Sequence, residues 1–317
     1  MTEQGRSYSK ASAWAKERAD LGYGPFDACS RSPRVHRFPD FLIIGAQKAG
    51  TTWLFDNIDY HPRVWLSPVK ELNYFSELYC RSADGWEARG RSTQSKAAED
   101  YFTGLVDPLP EVKLRAGALK TVRENALTDD WYGRIFAHAP TESVCGEASP
   151  EYCVLPREAI VHIASLNPKL VAILVVRDPI ARLWSHAKMS IRRGHGELTL
   201  KFLRQPEEWR VFFGRSNYAE ILRRWWSVLG RDQVLVLNYD WLRESSQLPL
   251  RKVCERLGLS YDPGFFPAAA SASGEVDDLK IPADIYEFAK AKCAAMYEEL
   301  VEYLPDIAPR WQAQHYG

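Results

Sequence analysis

The apolar residues of this chain fall into short solid runs separated by longer stretches of helical spacing. Phe38–Gly45 is one run, ending in Phe41-Leu-Ile-Ile-Gly45, and Lys169–Val176 is another, apolar at every position from Leu170 onward. A run with no polar face has nothing to offer water, so both are predicted as strands buried on two sides, the habit of parallel sheets. Shorter runs at 143–147 and Gln233–Leu237 predict two more strands. Helical spacing covers Pro156–Leu166, Ile180–Arg193, Asn217–Leu229, Ser245–Leu257 and Pro282–Leu304. Pro156 suits a first helical turn, and Ile221, Leu222 and Trp225 fall on one side of their helix. Strands alternating with helices give an α/β, three-layer fold around a mainly parallel central sheet. Ligands of such sheets sit beyond the C-terminal strand ends, and both Gly45 and Arg177 fall at one.

Residues 1–37 are polar and hold Pro25 and Pro33, so they read as an N-terminal extension to a domain over 38–317. Ser76–Glu99, rich in Arg, Ser, Gly and charge, reads as an exposed insertion. The composition, 46% apolar and 26% charged, is that of a globular protein. No apolar run approaches the ~20 residues needed to cross a bilayer, and the first residues lack a signal core, so a cytoplasmic location is expected. Forty-one basic residues balance forty-one acidic ones, which argues against nucleic acid as a partner and makes any anion site local. The six cysteines form no C-x-x-C and the seven histidines no H-E-x-x-H. Reduced structural thiols are expected, and a metal centre is not.

Chemistry concentrates just after the first strand, in Gly45-Ala-Gln-Lys-Ala-Gly-Thr-Thr-Trp53. Strand, glycine loop and helix start is an arrangement in which backbone N–H groups and the positive end of a helix dipole converge on an anion. The spacing Gly45…Gly50 fits the frame of the nucleotide triphosphatase loop, G-x-x-x-x-G-K-[ST]. Thr51, however, stands at the lysine position and Lys48 comes three residues earlier. A lysine on the crown reaches over a ligand instead of along its phosphates. A second group lies in Val176-Arg-Asp-Pro-Ile-Ala-Arg-Leu-Trp-Ser185, where Arg177 leaves a strand end and Ser185 follows two helical turns later. An arginine fork with a hydroxyl can hold a phosphate, and the same residues can also cap and decorate a helix.

The G-x-x-K-x-G-T-T loop resembles the 5′-phosphosulfate loop of sulfotransferases that use 3′-phosphoadenosine 5′-phosphosulfate (PAPS). Arg177 with Ser185 resembles the 3′-phosphate motif of the same family. Three further stretches are similar to segments of its carbohydrate-type branch, which includes heparan sulfate sulfotransferases and soluble bacterial relatives: Ser67-Pro-Val-Lys-Glu-Leu-Asn-Tyr-Phe75, Gly146-Glu-Ala-Ser-Pro-Glu-Tyr152 and Ser216-Asn-Tyr-Ala-Glu-Ile-Leu-Arg-Arg-Trp225. The resemblance runs over about 38–305 and implies a P-loop-like phosphosulfate-binding loop, PAPS as donor and 3′,5′-bisphosphoadenosine (PAP) as product. It implies Glu71 as general base, since an acceptor hydroxyl attacks only as its proton leaves; a Glu71 paired with Lys70 at the surface is the plain alternative. Lys48 would stabilise the leaving phosphate, with Ala49, Gly50, Thr51 and Thr52 around the 5′-phosphate. Trp53 and Tyr218 are expected near the adenine or in the core, and Lys70, Glu147, Ser149 and Tyr152 along an acceptor cleft or in buried hydrogen bonds. The implied acceptor is a small molecule or carbohydrate hydroxyl.

The K-[ST]-H triplet of cytosolic aryl and steroid sulfotransferases is missing. Gly264–Ile281, where many members carry a basic loop, is rich in Ala and Ser and acidic, with Lys280 as its only cation, which weighs against a polyanionic acceptor. Arg192-Arg193-Gly194 offers positive charge nearby, or simply a solvated helix end. Two other classes share the loop: a P-loop kinase or nucleotide hydrolase, with Asp178 near the strand end, and a PAP-binding protein without catalysis. Magnesium-dependent ATP binding would mark the former, and dispensability of Glu71 the latter.

Overall fold

A computed structural model describes residues 36–80, 110–192, 199, 212–266 and 280–317 of the chain. Five strands form its sheet: β1 (Phe41–Gly45), β2 (Val64–Leu66), β3 (Val144–Ala148), β4 (Val171–Val176) and β5 (Val234–Asn238). Their order is β2-β3-β1-β4-β5 and every pairing is parallel. The two solid apolar runs are the central strands. All five residues of β1 are buried, as are five of the six in β4. Each large aliphatic side chain so buried contributes about 1.5–3 kcal/mol of transfer free energy, which is why these strands take the middle.

The connections are helical. α1 (Thr51–Ile58) follows β1; α2 (Tyr74–Tyr79), α3 (Pro110–Glu124) and α4 (Asp129–Phe136) lie between β2 and β3. α5 (Arg157–Leu166) links β3 to β4, while α6 (Pro179–Arg192) and α7 (Tyr218–Leu229) link β4 to β5. After β5 come α8 (Tyr239–Glu244), α9 (Gln247–Arg256), α10 (Ala283–Tyr303) and α11 (Ala308–Tyr316). α9 packs on α1 and β5, whereas α5 packs on α7 and α7 on α10. The chain leaves β1 toward β2 at one edge and leaves β4 toward β5 at the other. Connections diverging from two adjacent strands open a crevice at their C-terminal ends, the switch point where α/β sheets bind ligands.

The parallel α/β architecture expected from the apolar pattern is therefore present, and the predicted strands and helices lie within a few residues of the observed ones. β2 escaped the pattern because three residues show no period, as did α3 and α4. Ser76 does not begin an exposed insertion: Tyr74–Tyr79 is helical, and Phe75 and Ser76 are buried where Phe75 meets the rings of Tyr132 and Tyr152. Residues 81–99 of that stretch lie outside the described residues, as do 267–279 of the acidic segment and Arg193-Gly194. Cys145, Cys153, Cys254 and Cys293 are buried free thiols, and Cys80 is exposed.

Candidate active site

At the end of β1 the backbone turns at Gly45 and again at Gly50, both at positive φ (147° and 95°). A Cβ on Gly45 would stand 2.9 Å from Cys153 Cβ and from the Pro150 carbonyl, and one on Gly50 2.7 Å from Leu242 Cδ2. Side chains fit at neither place, so glycine is required by conformation and by space. Between them Lys48 is also left-handed, at φ 70°, a costly conformation for a residue with a Cβ. α1 begins directly after Gly50 with no side-chain cap and no acidic residue in its first turn. Its leading N–H groups are thus left for an anion.

The second strand end comes to the same place. Arg177 follows β4, and its Nη1 donates to the Lys48 carbonyl at 3.0 Å, while the guanidinium lies 4.4 Å from the centre of the Tyr239 ring. Tyr239 stands there because β5 runs in register with β4, Asn238 opposite Val176. Tyr218 fixes the Arg177 backbone from beneath: its hydroxyl donates to the Arg177 carbonyl at 2.9 Å and accepts from the Arg177 N–H at 3.2 Å. Asp178, 6% exposed, is turned inward. It accepts from the Ala181 N–H (2.7 Å) and the Tyr297 hydroxyl (2.7 Å) and lies 3.0 Å from His315 Nε2, so α10 and α11 grip the start of α6.

A third segment closes on the loop from the β2 side. Lys70 Nζ donates to Thr52 Oγ1 at 2.7 Å and lies 3.4 Å from Glu71 Oε1. Glu71 is exposed, at φ 64°, with its N–H bonded to the Ala148 carbonyl at 2.9 Å. Beneath this segment sits Glu147, at zero exposure. Its Oε1 accepts from Tyr132 (2.7 Å) and Tyr152 (3.0 Å), its Oε2 accepts from Ser149 (3.0 Å), and the Leu72 N–H also donates to the carboxylate. Burial nevertheless pushes the Glu147 carboxyl above its ordinary range, against the pull of those donors. Ser149 Oγ in turn accepts from the Asn73 N–H at 3.1 Å, and the Tyr152 hydroxyl from the Phe75 N–H at 3.4 Å.

The sequence has recognisable relatives. The model of the sulfotransferase family covers residues 39–263, from the start of β1 to beyond α9. The chain belongs to the sulfotransferase family. It is 26% identical over 160 residues to carbohydrate sulfotransferase 15 of Mus musculus, which is 48% of this chain and 27% of that one. It is 28% identical over 155 residues to the membrane-associated sulfotransferase kil1 of Dictyostelium discoideum, 49% of this chain and 23% of that one. The chain thus spans about a quarter of the length of these curated relatives. Its fold is similar to a sulfotransferase of Alicyclobacillus acidocaldarius, with a TM-score of 0.63 at 21% identity over 87% of this chain and 99% of that one. No helix among the described residues is long and apolar enough to cross a membrane.

For this sulfotransferase-family chain the structure brings Lys48, Gly50, Thr51, Thr52, Lys70, Glu71 and Arg177 together, whereas Ala49 has zero exposure and its N–H is bonded to the Ala46 carbonyl at 3.0 Å. Ser185 is partly exposed in the second turn of α6, and Trp53 is partly exposed in the first turn of α1 with its indole Nε1 buried and unpartnered. For four residues the buried alternative is the one observed. Glu147, Ser149 and Tyr152 do not line a cleft: each has zero exposure, because together they hold the backbone of Leu72, Asn73 and Phe75. Tyr218, also at zero exposure, meets the Arg177 backbone and is not presented to a ligand. Tyr239 and two arginines were missed. Arg182, inside the quoted Arg177–Ser185 stretch, donates to the Gln47 carbonyl at 3.3 Å, and Arg215 joins Gln47 Oε1 to Glu151, at 2.7 Å each. The register of β5 with β4 was the signal that could have found Tyr239.

Proposed function

We propose that the chain transfers a sulfuryl group from PAPS to a hydroxyl of a carbohydrate or small-molecule acceptor. The observation that carries this reading is the meeting of three separate segments: Arg177 bonded to the Lys48 carbonyl, and Lys70 bonded to Thr52 beside Glu71. The donor set suits a nucleotide that carries two separate anionic groups. The uncapped start of α1, Thr51, Thr52 and Lys48 would hold a 5′-phosphosulfate, and Arg177 with Ser185 a 3′-phosphate. Gly50, where a Cβ would strike Leu242, keeps the loop backbone seated against α8. When bound, PAPS supplies the sulfuryl group.

The chain's own residues do the rest. Glu71, exposed at the mouth of the crevice, takes the acceptor's hydroxyl proton on a carboxylate oxygen. Lys70 keeps that carboxylate near the loop by bonding Thr52 and Glu71 together. Lys48 holds positive charge at the loop crown, where negative charge develops on the departing phosphate oxygen. Tyr218 orients Arg177, and the Glu147 cluster orients the segment that carries Glu71. The kinase reading loses support from Asp178, whose carboxylate is turned inward onto Ala181, Tyr297 and His315.

Calorimetric titration with PAP, then with ATP and magnesium, tests the donor assignment. Micromolar PAP binding without metal is expected, and tight magnesium-ATP binding with no response to PAP would overturn it. Glu71→Gln is expected to bind PAP as the parent does while losing transfer by about 10²-fold or more. Transfer at the parent rate would remove Glu71 from the role of base.

A further inference from the structure

Arg182 is a guanidinium with zero exposure. It donates to the Gln47 carbonyl, the Phe212 carbonyl and Ser216 Oγ, all neutral acceptors. Among the described residues it makes no ion pair. A buried charge without a counter-charge is expensive, and proteins ordinarily neutralise one with a carboxylate. Burial, with Arg215 and Arg177 nearby, pulls its pKa down to about 10, which still leaves it charged at neutral pH. Neighbouring acids are committed elsewhere: Glu151 to Arg215, Glu71 beside Lys70, Asp178 to Tyr297 and His315. The bond to Gln47 also has a geometric effect. A trans peptide is planar, with N–H opposite C=O, so holding the Gln47 carbonyl toward Arg182 turns the Lys48 N–H away from it.

We infer that Arg182 is a positioning residue of the donor site, whose buried charge behind the loop has no counter-charge among the described residues and is balanced by a bound phosphate-type anion. This rests on the reading of the Gly45–Thr52 loop as an anion site, and it adds a charge that makes no contact with the ligand. Arg177 and Arg182 spend their hydrogen bonds on successive loop carbonyls, Lys48 and Gln47, and so brace one loop from two sides.

Two variants separate charge from bracing. Arg182→Lys keeps the cation and loses the fork, whereas Arg182→Gln keeps an N–H donor and loses the charge. Each is titrated with PAP and with inorganic pyrophosphate after its fold is checked by near-UV circular dichroism. Arg182→Gln should weaken binding of both anions about tenfold or more, the scale of one unit charge at close range in a medium of effective dielectric about 20. Arg182→Lys should stay within about threefold of the parent, because the charge is kept. Equal affinities for the parent and Arg182→Gln would overturn the inference while leaving the PAPS reading intact. So would equal losses in the two variants, which would reduce Arg182 to a brace. Parent protein that binds pyrophosphate in an Arg182-dependent way but ignores PAP would sink the PAPS reading and keep the inference. Should Arg182→Gln fail to fold, the parent decides: pyrophosphate must raise its melting temperature, and no rise overturns the inference.

Discussion

Replacing Glu147 by glutamine should produce a stability loss that shrinks as pH rises. The carboxylate accepts from Tyr132, Tyr152, Ser149 and the Leu72 N–H, all out of contact with water. Glutamine offers one acceptor oxygen where the carboxylate offers two, so its NH₂ faces at least one of the four donors, and a buried donor left without an acceptor costs about 1–3 kcal/mol. The pH dependence follows from the raised carboxyl pKa. Between the ordinary value of 4.5 and the higher folded value, the native state binds more protons than the unfolded chain. The contribution of Glu147 is therefore complete below the unfolded pKa and declines as pH rises through the folded one, by up to about 1.4 kcal/mol per pH unit. Glutamine does not titrate. Urea unfolding of both proteins, measured from about pH 4 to pH 8, isolates the effect as a difference in which all other groups cancel. The parent's advantage should be greatest at the acid end. A difference that is flat, or that grows with pH, would refute the claim that burial outweighs the four donors.

Two further outcomes follow from the loop and its support. Gly50→Ala forces a Cβ to within 2.7 Å of Leu242 and 3.1 Å of Tyr239 at φ 95°, and should cost about 1–3 kcal/mol and weaken PAP binding, since Tyr239 carries Arg177; a melting temperature and PAP affinity equal to the parent's would contradict the packing described. Tyr297→Phe keeps the ring and removes the 2.7 Å bond to Asp178 together with the 3.4 Å bond from the Ile180 N–H, so a loss of about 1.5–3 kcal/mol in thermal or urea unfolding is expected, and an unchanged midpoint would mean that His315 and the Ala181 N–H satisfy the acid without it.

The sheet was legible because β1 and β4 are apolar at nearly every position, a pattern that only burial on two sides permits. β2 was not, because Val64–Leu66 is too short to display a period and earns its place by pairing with β3. α4 carried a readable start, Thr128 before Asp129 and Asp130, with the Thr128 side chain accepting from the Trp131 N–H, and it went unread amid weakly patterned neighbours. In the site, residues within one motif were legible from spacing: Lys48, Gly50, Thr51, Thr52, Arg177. Depth was not. Glu147, Ser149 and Tyr152 are polar residues in a polar-looking segment, and nothing in their spacing says that each is buried and supports backbone; Tyr218, at helical spacing from Ile221, Leu222 and Trp225, lay on a readable apolar face. Arg182 was the hardest, since an isolated arginine on a helix ordinarily belongs to solvent.

The grip on Asp178 also sets an order of assembly. A growing chain has delivered both segments proposed to hold the anions once residue 185 is made, but the tyrosine and histidine that hold the acid between them lie 119 and 137 positions beyond Asp178. Until those residues emerge, the corner that aims Arg177 has Tyr218, the Ala181 N–H, the Lys48 carbonyl and Tyr239 to hold it, without the grip of α10 and α11. On the proposed reading, affinity for the nucleotide would be among the last properties the polypeptide acquires, and a copy lacking α10 and α11 would display the motifs without the instrument they belong to.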